Sequence, residues 1–332
     1  MSRVVARATG AVSVVALALA AAAPAPARAP EPLEQARRAA EQVSFEGVLE
    51  VRWRDGDVSR SERLTVQAAG GALMVRGANL VMARPAYGRL LAHGRGGWEE
   101  MWLPSLPPAP RPEGLPKYSM TPPTRGPMVA GRPTKIFEVH HGGRMLERIY
   151  LDAGTNLLLE RDQFDAQGAV IRTLAFESVN LNVSMPPPTV PPSAAQHAPE
   201  LVPPHELAAP ETLDDGYRRM GIYRSGSVLH ALYSDGLYDL SLFQQHGRLR
   251  QSDLPPSGER VDVRGTTGWR YPWPGGQLVV WSEGGSVFTA VSDAPAEQVL
   301  AAIRSLPDIP TQELSLLGKI RRACQALMEP LS

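Results

Sequence analysis

A chain of 332 residues is long enough for two domains. Its 43% apolar content supports real cores and excludes wholesale disorder. Equal numbers of basic and acidic residues, 34 each, leave no basic footprint of the kind a nucleic-acid binder carries.

Residues 1–29 read as a secretory signal. Arg3 and Arg7 supply a short positive end, and Val12 to Ala23 an apolar run. That run falls short of the roughly 20 residues needed to span a bilayer, and Pro24 and Pro26 interrupt its end. Ala25 to Ala27 offers a small-x-small cleavage site, with Ala27 to Ala29 as a rival. Cleavage after Ala27 leaves 32 basic against 34 acidic residues. The expected location is therefore periplasmic or otherwise extracytoplasmic. The single cysteine, Cys324, permits neither an internal disulfide nor a cysteine-based metal site.

Residues 31–43 have the spacing of an amphipathic helix, with Leu33, Ala36, Ala40 and Val43 on one face. From Phe45 to Trp53 the period changes to two, as in a half-buried strand. Asp55-Gly56 signals a hairpin. Leu64 to Val66 and Ala72 to Arg76 continue an antiparallel meander, with Gly70-Gly71 between them. Residues 104–128 are proline-rich and unsuited to a central strand, so a long surface excursion is predicted. Strands resume at Lys135–Val139, Arg148–Asp152, Leu157–Arg161 and Ala169–Phe176. Each connection carries Gly or Asn where a hairpin needs positive φ.

Proline density marks 183–211 as a semi-extended linker. The division predicted is a signal at 1–29, a first domain at 30–182, the linker, a small antiparallel α+β domain at 212–310 and an amphipathic C-terminal helix within 311–332. Strands of the second domain are predicted at Val228–Tyr233, Tyr238–Phe243, Arg260–Val263, Trp269–Tyr271, Gln277–Trp281 and Ser286–Val291. A helix is expected to follow, with Asp293 as N-cap, Pro295 in its first turn, and Val299, Leu300, Ile303 and Leu306 buried. Leu314, Leu317, Ile320, Cys324 and Leu327 form the stripe of the last helix, which could dock on its own domain, a second copy or a membrane surface.

Catalytic patterns are weak. His140 and His141 point to opposite faces of a strand and lack a third ligand at metal spacing. Ser225 to Ser227 reads as a turn, with no nucleophile elbow around it. Gly94 to Gly97 lacks the lysine and helix of a phosphate loop, and Glu99-Glu100 alternate across a strand. No catalytic group, cofactor or metal is expected, and the chain reads as a non-enzyme. What remains is apolar surface. Leu49, Val51, Trp53, Met74, Val75, Trp98, Met101 and Trp102 are candidates to line a cavity for a lipid acyl chain. Ordinary core packing fits them at least as well.

Several segments resemble one family. Ser44 to Gly47 (SFEG) opens the set. Val129 to Pro133 (VAGRP), then Lys135 to Val139, resembles the "AGR" strand entry of the RseB/MucB family of sigma-E regulatory proteins. Ile149 to Asp152 (IYLD), Thr155 to Leu159 (TNLLL) and Phe164 to Val170 (FDAQGAV) resemble that family's "LWLD…TGLLL…D..G.V" run. Tyr233 to Leu237 (YSDGL), with Ser241 to Phe243, resembles its "YSDGL…SVF" motif. The resemblance covers about 45–182 and 213–306. The stretch 54–128 departs most, and 307–332 has no counterpart.

The resemblance implies an α+β, mainly antiparallel fold. Its first domain is similar to the lipoprotein carriers LolA and LolB, an unclosed β-barrel with helices, and a smaller α+β domain follows. It also implies a role: binding the extracytoplasmic domain of a membrane-spanning anti-sigma factor and modulating its proteolysis under envelope stress or lipid-like signals. The matching partner-binding candidates are Ser234, Asp235, Gly236 and Leu237, which a hairpin turn would explain equally well. A lipid or lipoprotein carrier is the alternative. Partners are then an anti-sigma factor, an acyl chain, or a second copy of the chain, and no nucleic acid.

Overall fold

A computed structural model describes residues 32–78, 81–84, 91–94, 97–100, 117–181, 183–184, 200–201, 209–225 and 227–307. The predicted signal segment, the C-terminal helix, residues 104–116 of the proline-rich stretch and most of the linker lie outside them.

The described chain builds two antiparallel sheets and two α-helices. After helix α1 (Pro32–Gln42) come β1 (Phe45–Asp55), β2 (Val58–Ala69), β3 (Ala72–Arg76), β4 (Val81–Arg84), β5 (Leu91–Gly94) and β6 (Gly97–Glu100). Then follow β7 (Ser119–Met120), β8 (Thr124–Val129), β9 (Arg132–His141), β10 (Arg144–Asp152), β11 (Leu158–Phe164) and β12 (Val170–Leu181). Their order is β6-β5-β4-β3-β2-β1-β12-β11-β10-β9-β7, with β8 also on β9. The two ends of this row do not pair, so the sheet is unclosed, as expected. Bulges at Val48/Leu49, Tyr150/Leu151 and Gln163/Phe164 supply local bending.

The turns obey the local chemistry. Gly56 and Gly142 adopt φ of 60° and 58° between strands paired at Asp55↔Val58 and His141↔Arg144. The "IYLD…T" motif is a structural knot. Buried Asp152 accepts hydrogen bonds from Arg132 Nε (2.6 Å), the Thr155 N–H (2.8 Å) and Thr155 Oγ1 (2.9 Å).

The second sheet has β13 (Glu200–Leu201), β14 (Arg218–Ser225), β15 (Val228–Ser234), β16 (Asp239–His246), β17 (Glu259–Val263), β18 (Thr266–Trp273), β19 (Gly276–Glu283) and β20 (Ser286–Ser292). Its order is β13-β14-β15-β16-β20-β19-β18-β17. Helix α2 (Ala296–Arg304) buries Val299, Ala302 and Ile303 completely against it.

Three expectations need correction. Part of the proline-rich excursion forms the edge strands β7 and β8. Pro127, which has no N–H to give, falls where the β8–β9 register slips between Arg125 and Met128. β14 (RRMGIYRS) was not anticipated, because Gly221 and the arginines blur its alternation. Asp293 does not cap α2. Pro295 holds the N-cap position without a side-chain hydrogen bond, and Asp293 is buried beneath the first sheet.

Gly276 is required where it stands. Its φ is +133°, and a Cβ there would overlap the Ser292 carbonyl oxygen. Gly276→Ala is expected to destabilise the fold by about 2 kcal/mol or more. A urea unfolding midpoint below that of the parent chain would show it.

Candidate binding site: an apolar cavity beside a polar junction

Successive strand residues face opposite sides, so β1, β2, β3, β11 and β12 each send alternate side chains into the concave face of the first sheet. Helix α1 crosses that face. Between them lies a cavity walled by Phe45, Leu49, Leu64, Val75, Leu174 and Phe176 among others, with Arg37, Glu41 and Arg84 also on its lining. Its cavity volume is about 80 Å³, well below the usual range for small-molecule sites, so it is a narrow apolar slot. Arg37 is held by Glu34 (2.8 Å from Nε) and Glu41 (3.0 Å). Burial pushes the Arg84 guanidinium below its ordinary pKa, with the Glu41 charge opposing.

Of the predicted cavity residues, Leu49 and Val75 line this space. Val51 is fully buried in the core beside it, and Trp53 packs half-buried against that core. Met74 is buried on the other face, because its strand neighbour Val75 takes the cavity side. Trp98 falls in β6, and its side chain lies outside the described residues, as do Met101 and Trp102.

The same concave face continues past the cavity and meets the second sheet. A single hydrophobic cluster spans both, joining Phe137, Val139, Ile149 and Leu151 to Tyr217, Leu237, Tyr238 and Trp281. Leu33 and Ala36 of α1 belong to it, while Ala39 belongs to the core around the cavity. α1 therefore touches both regions.

Polar groups at this junction are arranged in two knots. In the first, Arg161 Nε and Nη2 donate to Glu147 at 2.5 and 2.8 Å, and Arg161 Nη1 reaches Asp293 Oδ2 at 3.3 Å. Tyr238 OH donates to Glu147 Oε1 (2.6 Å), and Gln163 Nε2 donates to the Asp293 carbonyl (2.9 Å). In the second, Asp235 Oδ2 accepts from Lys117 Nζ (2.7 Å) and Tyr118 OH (2.6 Å). Its Oδ1 accepts the N–H groups of Leu237 (2.9 Å) and Tyr238 (2.7 Å). Burial, and then the Asp235 charge, push the Tyr118 phenol far above its ordinary pKa.

The four motif residues Ser234, Asp235, Gly236 and Leu237 are thus brought together as a turn, with Gly236 at φ 96°. All four are buried, and Asp235 is fully so. The turn faces the first sheet rather than solvent.

Glu147, Arg161 and Gln163 were not singled out from sequence, and Asp293 was read only as a helix cap. A signal existed. Glu147 shares a strand face with Ile149 and Leu151, and Arg161 shares one with Leu159. A charge in step with core residues points to a buried partner. The histidine pair separates as predicted, His140 toward Glu138 (3.1 Å) and His141 against the Tyr118 ring. Among the described residues, no three His, Cys, Asp or Glu side chains gather to hold a metal.

Burial raises the Asp293 carboxyl to about 6, against the opposing pull of Arg161 and Arg172. The folded chain then binds this proton more tightly than the unfolded one, whose value stays near 3.8. Stability from this group is therefore gained as pH falls through 6 and lost as pH rises through it. The expected gain between pH 7 and pH 5 is about 1 kcal/mol. Urea unfolding of the parent and of Asp293→Asn at the two pH values checks this, since the variant should lack that increment.

No family model matches the chain, and no curated protein does. Among solved structures it is similar to MucB in complex with MucA(peri), at 17% identity over 85% of this chain and 100% of that one, with a TM-score of 0.49. It is similar to the MucA/MucB complex of Pseudomonas aeruginosa at 18% identity, over 84% and 99% of the two chains, TM-score 0.46. A LolA-superfamily protein from Nitrosomonas europaea aligns at 9% identity, over 79% and 89%, TM-score 0.22.

Proposed function

We propose that the chain is an extracytoplasmic regulator. It binds the outer domain of a transmembrane anti-sigma factor and modulates that factor's proteolysis in response to envelope stress or lipid-like signals. The ordered run of motifs from SFEG to YSDGL supports this reading. The observation that carries the mechanism is the position of α1. One side of the helix walls the apolar cavity, and Leu33 and Ala36 pack into the cluster joining the two sheets.

A ligand lifting or tilting α1 would act on the sheet-to-sheet junction without touching it. By linkage, a ligand that prefers one arrangement shifts partner affinity by its differential affinity for the two. Ser234 to Leu237 would then act from inside, by fixing how the second sheet sits on the first. An acyl chain is the ligand class suited to walls of Leu, Val and Phe. Leu49 and Val75 would contact it directly.

Isolation of the full chain from its native envelope tests the reading. A single-span anti-sigma factor should come with it. Recovery without one would count against the proposal. The cavity also favours a second reading, a lipid or lipoprotein carrier. In that case acyl chains should be found by mass spectrometry of the purified protein, with no anti-sigma factor bound.

A further inference from the structure

The junction charges do not all find partners. Glu147 is occupied by Arg161, Gln163 and Tyr238, and Asp293 by Arg161 and the Asp239 N–H. That leaves Arg172 on β12. It is 3% exposed, and its Nε, Nη1 and Nη2 all lack a hydrogen-bond partner. A guanidinium does not shed its proton to escape this, so its donors need an acceptor.

Other unpaired donors belong to the same region. Trp53 is directly opposite Arg172 in the β1–β12 ladder, so the two side chains share a face. The Trp53 indole Nε1 is buried and unpartnered. Across the junction, the backbone of Gly276 comes so close that a Cβ there would stand 3.0 Å from Arg172 Nη1. Gly276 pairs with Trp273 at the end of the β18–β19 hairpin, and the Trp273 Nε1 is also buried without a partner. Both tryptophans are only half-buried overall, so this corner reaches the surface.

The local field agrees with the hydrogen-bond tally. Burial weighs most heavily against the Arg172 charge, and the next largest influence is Arg161, a like charge. The Asp293 and Glu147 charges act in the opposite direction, and neither accepts a hydrogen bond from Arg172.

We propose that Arg172, with the indole N–H groups of Trp53 and Trp273, forms a binding site for a small oxyanion, a carboxylate or phosphate group, at the seam between the two sheets. The planar fork of a guanidinium matches two oxygens of such a group, and each indole can donate to another. The site is separate from the apolar cavity and does not depend on the regulator reading. It would place an anion-sensitive contact where the second sheet meets β1 and β12.

Calorimetric titration of the full chain with inorganic phosphate, and separately with acetate, at constant ionic strength tests the site. Saturable binding of at least one of them is expected. Arg172→Met and Arg172→Lys should each weaken it about tenfold or more, the lysine because it loses the fork. Should Arg172→Met fail to fold, Trp53→Phe keeps the ring and removes one donor, and a loss of about threefold is expected. Absence of saturable binding to the parent chain overturns the site. So does phosphate or acetate binding that is unchanged in Arg172→Lys and Trp53→Phe.

Discussion

Glu147→Ala is expected to destabilise the protein by about 3–5 kcal/mol, the largest effect of any single substitution considered. The reason lies in what is left behind. Arg161 is 1% exposed and donates two of its hydrogen bonds to Glu147, while Tyr238 and Gln163 donate there as well. Removing the carboxylate strands a buried guanidinium, a phenol and an amide together. Glu147→Gln should be milder, because it keeps the shape and one acceptor oxygen. Equilibrium denaturation followed by fluorescence and circular dichroism gives the two values. A loss below about 1 kcal/mol for Glu147→Ala would mean that the knot is hydrated rather than closed.

Asp235→Ala is expected to cost about 2–4 kcal/mol and to act on the junction more than on either sheet alone. Four hydrogen bonds end on this carboxylate. Two hold the turn at Leu237 and Tyr238, and two come from Lys117 and Tyr118 of the first sheet's chain segment. Asp235→Asn keeps an acceptor for the turn but loses the charge that holds Lys117, so its effect should concentrate on the contact between sheets. Amide hydrogen exchange separates the two variants. Asp235→Ala should speed exchange in both the 234–238 turn and the facing strands. Asp235→Asn should speed mainly residues 117–120 and β16. Equal protection in parent and variants would remove this turn from the junction.

Strands were legible where alternation is strict and turns carry glycine. Phe45 to Trp53, Arg148 to Asp152 and Gln277 to Trp281 are examples, each bounded by a turn the sequence signals. The antiparallel pairing and the helix α2 face through Val299 and Ile303 follow from the same patterns, whereas the unclosed form of the first sheet came from the family resemblance. β14 was hidden because its arginines and Gly221 mask the period, and β8 because proline density outweighs six residues of edge pairing.

The site was less legible than the fold, for a physical reason. Alternation tells which residues share a face, but not whether that face meets solvent, a helix or another sheet. Leu49 and Val75 could be placed on a wall, yet the Met74–Val75 pair could not have shared one. Ser234 to Leu237 carry a hairpin signal, and nothing local in it indicates that Lys117 and Tyr118 will cover the turn. Arg161 and Glu147 are 14 positions apart in sequence and Asp293 a further 132 from Arg161, so only tertiary structure brings them into one knot.

On the proposed function, the two joined sheets hold a protein partner. Titration of the full chain with the purified outer domain of the anti-sigma factor from the same organism tests this most directly. Saturable binding is predicted, weakened in Asp235→Asn while the fold is kept. No saturable binding to the folded parent chain would contradict the account.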